Sequence, residues 1–316
     1  MNFKRLILKA SALVLTALIG LAFYTYIHLN EELEIPDSIE VDKGSTQKGV
    51  DAMQSISIDA NFIDVVVLKL LGGAKSGNIS TENASTRIEL LKALAKGKQK
   101  SLTITIIPGE TTEVFLRNLA KKESLDFQKL KEAYYKKTSQ PEGMLYPETY
   151  NLAISAKEEK IVNDLFEISQ KRYEELRNEY KADKIDFDKK IIIASVVEKE
   201  AASKDEMPLV ASVIYNRLKA GMPLQMDGTL NYGIYSHQKV TPERIRKDDT
   251  TYNTYKNKGL PAYPVCNPSK EAIEAAFKPA HTDYLYFMKS KEGRHNFSNS
   301  YTEHKSNIND VKKSNR

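Results

Sequence analysis

Ile191-Ile192-Ile193-Ala194-Ser195-Val196-Val197-Glu198-Lys199-Glu200 is the stretch on which the reading of this chain turns. Wound as a helix, positions 193, 196, 197 and 200 share one face, so Glu200 prolongs an apolar stripe of Ile193, Val196 and Val197. Glu198 aligns instead with Ile191, Ala194 and Ser195, a smaller and wetter face about 200° of rotation away. A regular helix therefore cannot send both carboxyls into one pocket. Downstream, Pro208 suits a first helical turn, Val210, Val213, Ile214 and Leu218 keep helical spacing, and Gly221 stops the run. The pattern predicts a second helix packed beside the first, presenting Asn216 and Arg217 near its end. A carboxyl at the edge of an apolar face loses hydration in its charged form, so its pKa rises and it can donate a proton. Glu200 is thus the candidate general acid. The competing reading is an exposed helix end with Glu200 paired to Lys204 at i+4.

Polar loops follow the helix pair. Leu224-Gln225-Met226-Asp227-Gly228-Thr229 is succeeded by Tyr232, by Tyr252-Asn253-Thr254-Tyr255, by Gly259-Leu260-Pro261 and by Asn267-Pro268. Loop-borne amides, hydroxyls and phenol rings hydrogen-bond sugar hydroxyls and stack on pyranose faces, although Asn, Gly and Pro in loops also serve simply as turn formers. The chain has no Trp, so any sugar platform is made of tyrosines. His295 and His304 flank Phe297, and each also reads as a surface or satisfied imidazole.

Working toward the N-terminus, Ile161 to Tyr180 spaces Val162, Leu165, Phe166, Ile168, Tyr173 and Leu176 among charges, an amphipathic helix expected to bridge two halves of the chain. Ser101 to Ile107 alternates as a short strand, Pro108-Gly109-Glu110-Thr111-Thr112 reads as turn and helix cap, and Val114, Phe115, Leu116 and Leu119 continue at helical spacing. Thr86 to Ala95 reads as a helix ended by Gly97, and Phe62 to Leu71 as an apolar run more helical than extended. A further strand is expected at Tyr284 to Met288. The mixture predicts an α+β fold rather than a wound parallel sheet. The expected organisation is residues 1–30 as a cytoplasmic stub and transmembrane anchor, 31–184 as an N-terminal region with the bridging helix, and 185–316 as the catalytic domain.

From Ala10 to Leu29 the chain carries no charge and is long enough, at about 20 residues, to cross a hydrocarbon core once. Lys4, Arg5 and Lys9 precede it and Glu31 and Glu32 follow, which predicts a cytoplasmic N-terminus and an extracytoplasmic remainder. Tyr24 and Tyr26 suit the outer interface. A cleaved signal would have a shorter apolar region and a small-x-small site, and none stands around Ala22-Phe23-Tyr24.

Composition narrows the chemistry. The formal charge of +5 on 316 residues demands no nucleic acid or other polyanion as partner. A single cysteine, Cys266, excludes an intrachain disulfide and a cysteine-rich zinc site, and the five histidines include no pair at ligand spacing, so neither metal nor cofactor is expected. No dinucleotide fingerprint, His-Glu-x-x-His or Gly-x-Ser-x-Gly occurs, and Gly72-Gly73-Ala74-Lys75-Ser76 lacks the glycine directly before lysine that a phosphate loop needs.

Nearly the whole chain resembles the endolytic murein transglycosylases, the MltG/YceG-like proteins of bacterial envelopes. The resemblance is carried by Ala194 to Glu200, by Val210-Ala211-Ser212-Val213-Ile214-Tyr215-Asn216-Arg217-Leu218, and by Gly221 to Asp227. Tyr252 to Tyr255, Gly259-Leu260-Pro261, Asn267-Pro268, Tyr284 to Phe287 and Gly293-Arg294-His295-Asn296-Phe297 extend it. Ile107 to Thr111 and Glu142-Gly143-Met144-Leu145-Tyr146-Pro147-Glu148-Thr149-Tyr150 look like the family's LysM-like small α/β region and the segment after it. The resemblance implies that Glu200 is the catalytic acid. It implies a lytic transglycosylase, a lyase that cuts the β-1,4 bond between N-acetylmuramic acid and N-acetylglucosamine and leaves a 1,6-anhydro end. Glu198, Asn216, Arg217, Gln225, Asp227, Thr229, Tyr232, Asn253, Tyr255, Asn267 and His295 are then the expected substrate-binding residues. The implied setting is the cell inner membrane, with the catalytic domain in the periplasm, peptidoglycan strands as substrate and peptidoglycan polymerases as neighbours. Two departures stand out: Gly228 occupies a place where the family usually has Pro, and the loop after Gly259 is poorer in proline and contains Cys266. Two rivals remain open, a non-catalytic wall-binding scaffold and a hydrolase pairing Glu200 with Asp227.

Overall fold

The computed structural model describes residues 3–44, 46–98, 101–153 and 157–314. The chain forms two compact units, Met1–Leu102 with Asn151–Ser155, and Thr103–Tyr150 with Ala156–Arg316. The first holds α1 (Phe3–Leu29), β1 (Ser38–Val41), α2 (Thr46–Ser55), α3 (Phe62–Leu70), β2 (Gly77–Ser80) and α4 (Arg87–Lys96). Leu8–Leu29 of α1 has a mean hydropathy of 1.8 and is long enough to span a membrane; most of it is exposed, and only its last turns pack on the first unit, through Thr25, His28 and Leu29.

In the first unit, β1 and β2 pair antiparallel with Ile39 opposite Ile79 and Val41 opposite Gly77. Ile39, Val41, Met53, Leu68, Ile79, Leu90, Leu91 and Leu94 form its buried core. Local chemistry sets the helix ends. Asn61 accepts from the Ile63 N–H at 2.7 Å while Asp64 accepts from the Asn61 N–H at 2.8 Å, a reciprocal cap that starts α3. Gly97, at φ 67°, supplies the left-handed residue that ends α4.

β3 (Ser101–Thr105) and β4 (Thr149–Ala153) pair with one another and carry the chain from the first unit to the second and back. Between them lie α5 (Thr112–Glu123) and α6 (Phe127–Lys137). Then come α7 (Glu158–Glu179), α8 (Lys184–Glu200), α9 (Met207–Lys219), α10 (Pro242–Lys247) and α11 (Lys270–Phe277), followed by the β5 (Tyr286–Lys289) and β6 (His295–Ser298) hairpin and α12 (Tyr301–Ser314). In the hairpin Phe287 stands opposite Phe297. This is a mixed α+β arrangement. The sequence-derived strand at Tyr284 appears two residues later, as β5.

The second unit is organised around α8, which packs against α9 and α11. Ile193, Val196 and Val197 are buried as their stripe predicts, but so are Ile191, Ala194 and Ser195. The face expected to be wetter is therefore dry. Ser195 shows why: its hydroxyl donates to the Ile192 carbonyl at 2.7 Å and accepts the Val265 N–H at 3.0 Å, so a small polar side chain serves as a packing point for the Val265–Cys266 segment. Each fully buried Ile or Val here contributes about 1.5–3 kcal/mol relative to exposure. The helix expected to bridge two halves, α7, lies within the second unit packed on α6, and residues 103–150 and 156–184 group with the expected catalytic stretch 185–316.

Candidate active site

α8 ends at Glu200 because Ala201 turns to an extended ψ of 134°. The two carboxyls of its last turn then go opposite ways. Glu198 Oε2 accepts from the Ser269 N–H at 2.9 Å and from the Ser269 hydroxyl at 2.5 Å, tying α8 to the start of α11. Glu200 Oε1 accepts from the Gly228 N–H at 2.6 Å. Among the described residues nothing donates to its second oxygen. Lys204 does not pair with it, being bonded to Glu271 instead.

Glu200 is half-buried. Burial pushes its carboxyl up to about 7, the Gly228 N–H and the Arg217 guanidinium pull the other way, and the Asp227 charge adds to the rise. A group poised near neutrality can both give and take a proton at neutral pH. Tyr255 donates from Oη to Asp227 Oδ1 at 2.8 Å. Burial, that hydrogen bond and the charges of Asp227 and Glu200 keep the Tyr255 phenol protonated. Gln225 and Asp227 are exposed and Tyr255 is half-buried. Gln225 adopts φ 48°, a left-handed turn that lets the segment double back to Gly228.

The other expected residues have their polar groups engaged within the protein. Asn216 donates to the carbonyls of Thr282 at 2.8 Å and Tyr284 at 3.0 Å. Arg217 donates from Nε to the Leu285 carbonyl at 2.6 Å and from Nη1 to the Leu224 carbonyl. Thr229 bonds the Met226 carbonyl at 2.7 Å and shares a hydrogen bond with Thr254 at 3.0 Å. Tyr232 stacks on Tyr252 with centroids 4.2 Å apart and donates to Asp248 at 2.9 Å. Asn253 donates to the carbonyls of Ile245 at 2.8 Å and Asp248 at 2.7 Å. Asn267 is fully buried and donates to the Glu110 carbonyl at 3.3 Å. His295 takes Glu206 as partner twice, through its N–H at 2.9 Å and Nδ1 at 2.7 Å. The structure thus gathers Glu200, Arg217, Asp227 and Tyr255 into one electrostatic neighbourhood and spreads the rest over the loops that hold it.

Arg217 is 8% exposed, and both carbonyls that it satisfies belong to segments framing the site. Arg217→Met keeps the packing and strands them, so we expect a loss of about 2–5 kcal/mol in urea unfolding. A change within a few tenths of a kcal/mol would contradict this bracing role.

A second buried polar cluster was not assigned from the sequence. Glu142, 2% exposed, accepts from the Thr112 N–H at 2.6 Å and the Gly233 N–H at 3.2 Å, and burial pushes its carboxyl up to about 8. Lys199 donates to the Ser236 carbonyl at 2.7 Å, and burial draws its ammonium down against the pull of nearby acids. Thr111 donates to the Gly233 carbonyl at 2.6 Å. Residues 107–112 and 142–150 are by these bonds built into the second unit. The signal missed was the Glu-Lys-Glu triplet itself: its middle residue faces Ser236 while its two acids face elsewhere. A cavity of about 360 Å³ lies beside this cluster, walled by Glu142, Tyr134, Tyr135, Tyr232 and Tyr252. Glu200 does not line it.

A family model described as the YceG-like family matches residues 39–310. The endolytic murein transglycosylase of Bacillus subtilis is 32% identical over 245 residues, covering 77% of this chain and 68% of that protein. The endolytic murein transglycosylase of Streptococcus pneumoniae is 33% identical over 173 residues, covering 53% of this chain and 31% of that longer protein. A YceG-like protein of Listeria monocytogenes, known from a 2.6 Å crystal structure, superposes with a TM-score of 0.58 at 27% identity, covering 88% of this chain and 99% of that one. A match over most of the length, with an acid held at the end of α8, leaves one assignment: the chain belongs to the YceG-like family.

Proposed function

We propose that this protein is a membrane-anchored endolytic lytic transglycosylase of the bacterial cell wall, with Glu200 as its single catalytic acid and base. The observation that carries the reading is the Glu200 carboxyl, one oxygen fixed by the Gly228 N–H and the whole group pushed to about 7. Protonated Glu200 gives its proton to the oxygen leaving C1 of N-acetylmuramic acid, breaking the β-1,4 bond. The carboxylate so formed takes the proton from the sugar's C6 hydroxyl as that oxygen bonds to C1, closing the 1,6-anhydro ring. The acid is restored and no water is consumed. One carboxyl suffices because the nucleophile belongs to the substrate, whereas a glycosidase needs two. Exposed Gln225 and Asp227 and half-buried Tyr255 are proposed to contact the strand, while Glu198, Asn216, Thr229, Tyr232, Asn253, Asn267 and His295 shape the loops around it.

In this reading α1 holds the enzyme in the inner membrane with the catalytic unit outside, where it cuts nascent strands beside peptidoglycan polymerases. The LysM-like stretch is proposed to help hold the wall.

Incubation with purified glycan strands, with products weighed by mass spectrometry, tests the reaction: anhydro ends are expected and ¹⁸O from labelled water should not enter the product. Reducing ends carrying the label would replace the lyase with an Asp227-assisted hydrolase. Binding without turnover would leave a wall-binding scaffold. The pH profile has a definite sign. The acid must be protonated, so kcat/KM should be flat on the acidic side and fall tenfold per pH unit above about 7. A rate that rises through that range contradicts the assignment.

A further inference from the structure

α3 has the wrong polarity for a helix in water. Its acid, Asp64, is fully buried, and Leu68 lies in the core of the first unit. Phe62, Val66 and Leu70, spaced i, i+4 and i+8, share the opposite side, where Phe62 is 79% and Leu70 82% exposed, with Leu71 following at 40%. Lys69 is exposed on that side too. An apolar stripe carrying a lysine that can extend its ammonium outward is the pattern of a helix lying in a membrane interface.

Contacts within the first unit fix where this stripe stands. His28, in the last turn of α1, has Nε2 3.1 Å from both carboxylate oxygens of Asp64. Arg87 closes the knot, reaching Asp64 at 3.3 Å and Glu31 at 2.7 Å. α4 runs beside α1, and Ile88 and Lys92 share with Leu18, Leu21, Thr25 and Leu29 the lining of a cleft of about 660 Å³. α3 packs on α4. If α1 crosses a membrane as far as Leu29, α3, held to His28 through Asp64, therefore stands at the depth of its outer end.

We propose that α3 is a second membrane-contact element: Phe62, Val66 and Leu70 bed into the boundary between headgroups and acyl chains of the leaflet from which α1 emerges, with Lys69 at anionic headgroups. The proposal rests on the anchor reading above. A lipid surface suits the stripe better than a second copy of the chain, because the stripe carries no acid that a second copy could offer to Lys69, whereas anionic lipid neutralises it.

The chain has no Trp, so single substitutions give an unambiguous emission signal. Full-length Phe23→Trp, Phe62→Trp and Leu70→Trp are reconstituted into phosphatidylethanolamine and phosphatidylglycerol vesicles containing lipids brominated at shallow or deep acyl positions. Quenching of Phe62→Trp and Leu70→Trp is expected, stronger with shallow than with deep bromine. If Phe23→Trp is quenched while the other two emit as in water, the interfacial helix is wrong and the anchor stands. If Phe23→Trp is also unquenched, the anchor reading itself has failed. Shielding of Phe62→Trp from aqueous iodide without quenching by bromine would mean that protein covers the stripe, which also overturns the proposal.

Discussion

Glu200→Gln should lower strand cleavage by about 10³-fold or more, because the carboxamide can neither deliver the proton to the leaving oxygen nor recover one from the C6 hydroxyl. The fold should survive, since the amide oxygen can still accept the Gly228 N–H. Stability gives an independent readout with a fixed sign. The folded-state pKa of about 7 lies above the ordinary glutamate value of 4.5, so ionisation is easier in the unfolded chain. Wild-type stability is therefore lost as pH rises from about 4.5 through about 7, and the variant escapes that loss. Its advantage should be nil at about pH 4 and reach at most about 3 kcal/mol at about pH 8, measured by urea unfolding. Turnover near the wild-type rate with anhydro products would remove Glu200 from the chemistry. Equal pH dependence of the two proteins' stabilities would show that the carboxyl is not held in a desolvated place.

Gly228→Ala is the second large effect. A Cβ at 228 would stand 2.6 Å from Lys199 Cβ, 2.8 Å from Glu200 Oε1 and 3.3 Å from the Lys199 carbonyl carbon. The last of these is backbone of α8 and cannot swing aside, so the turn carrying Asp227 and Gly228 must retreat from the helix end. The 2.6 Å hydrogen bond to Glu200 is then lost or lengthened. Displacement on this scale costs about 10²-fold in rate. It has a further signature, because the Gly228 N–H holds the Glu200 pKa down, and losing it must move the falling limb of the pH profile to higher pH. A merely loosened protein would lose amplitude and keep the limb in place.

What the sequence disclosed was governed by local periodicity. The helix pair and its stop at Gly221, the capped helix after Ile107, the apolar N-terminal run and the protrusion of Glu200 from an Ile-Val-Val stripe all follow from neighbours within two turns. Ala194 and Ser195 misled because small residues on one side of a helix read as a wet face, whereas here they admit the Val265–Cys266 segment. Glu142 escaped because its partners, Thr112 and Gly233, lie 30 and 91 residues away, and no short-range pattern marks such a bond. The loop amides were visible as polar groups, but Asn253 and Asn267 bond to carbonyls that only the folded loops bring near.

The amide at 228 that clasps the acid also limits how alkaline a medium the site tolerates. A proline there, the residue that the resemblance leads one to expect, owns no hydrogen to offer, and its ring demands more room than glycine leaves against the end of α8. Gly228→Pro in this chain should therefore push the turn away from the end of α8 and leave Glu200 with one donor fewer. The acid of that variant should keep its proton to higher pH, so one missing amide hydrogen would move the falling edge of activity toward more alkaline media.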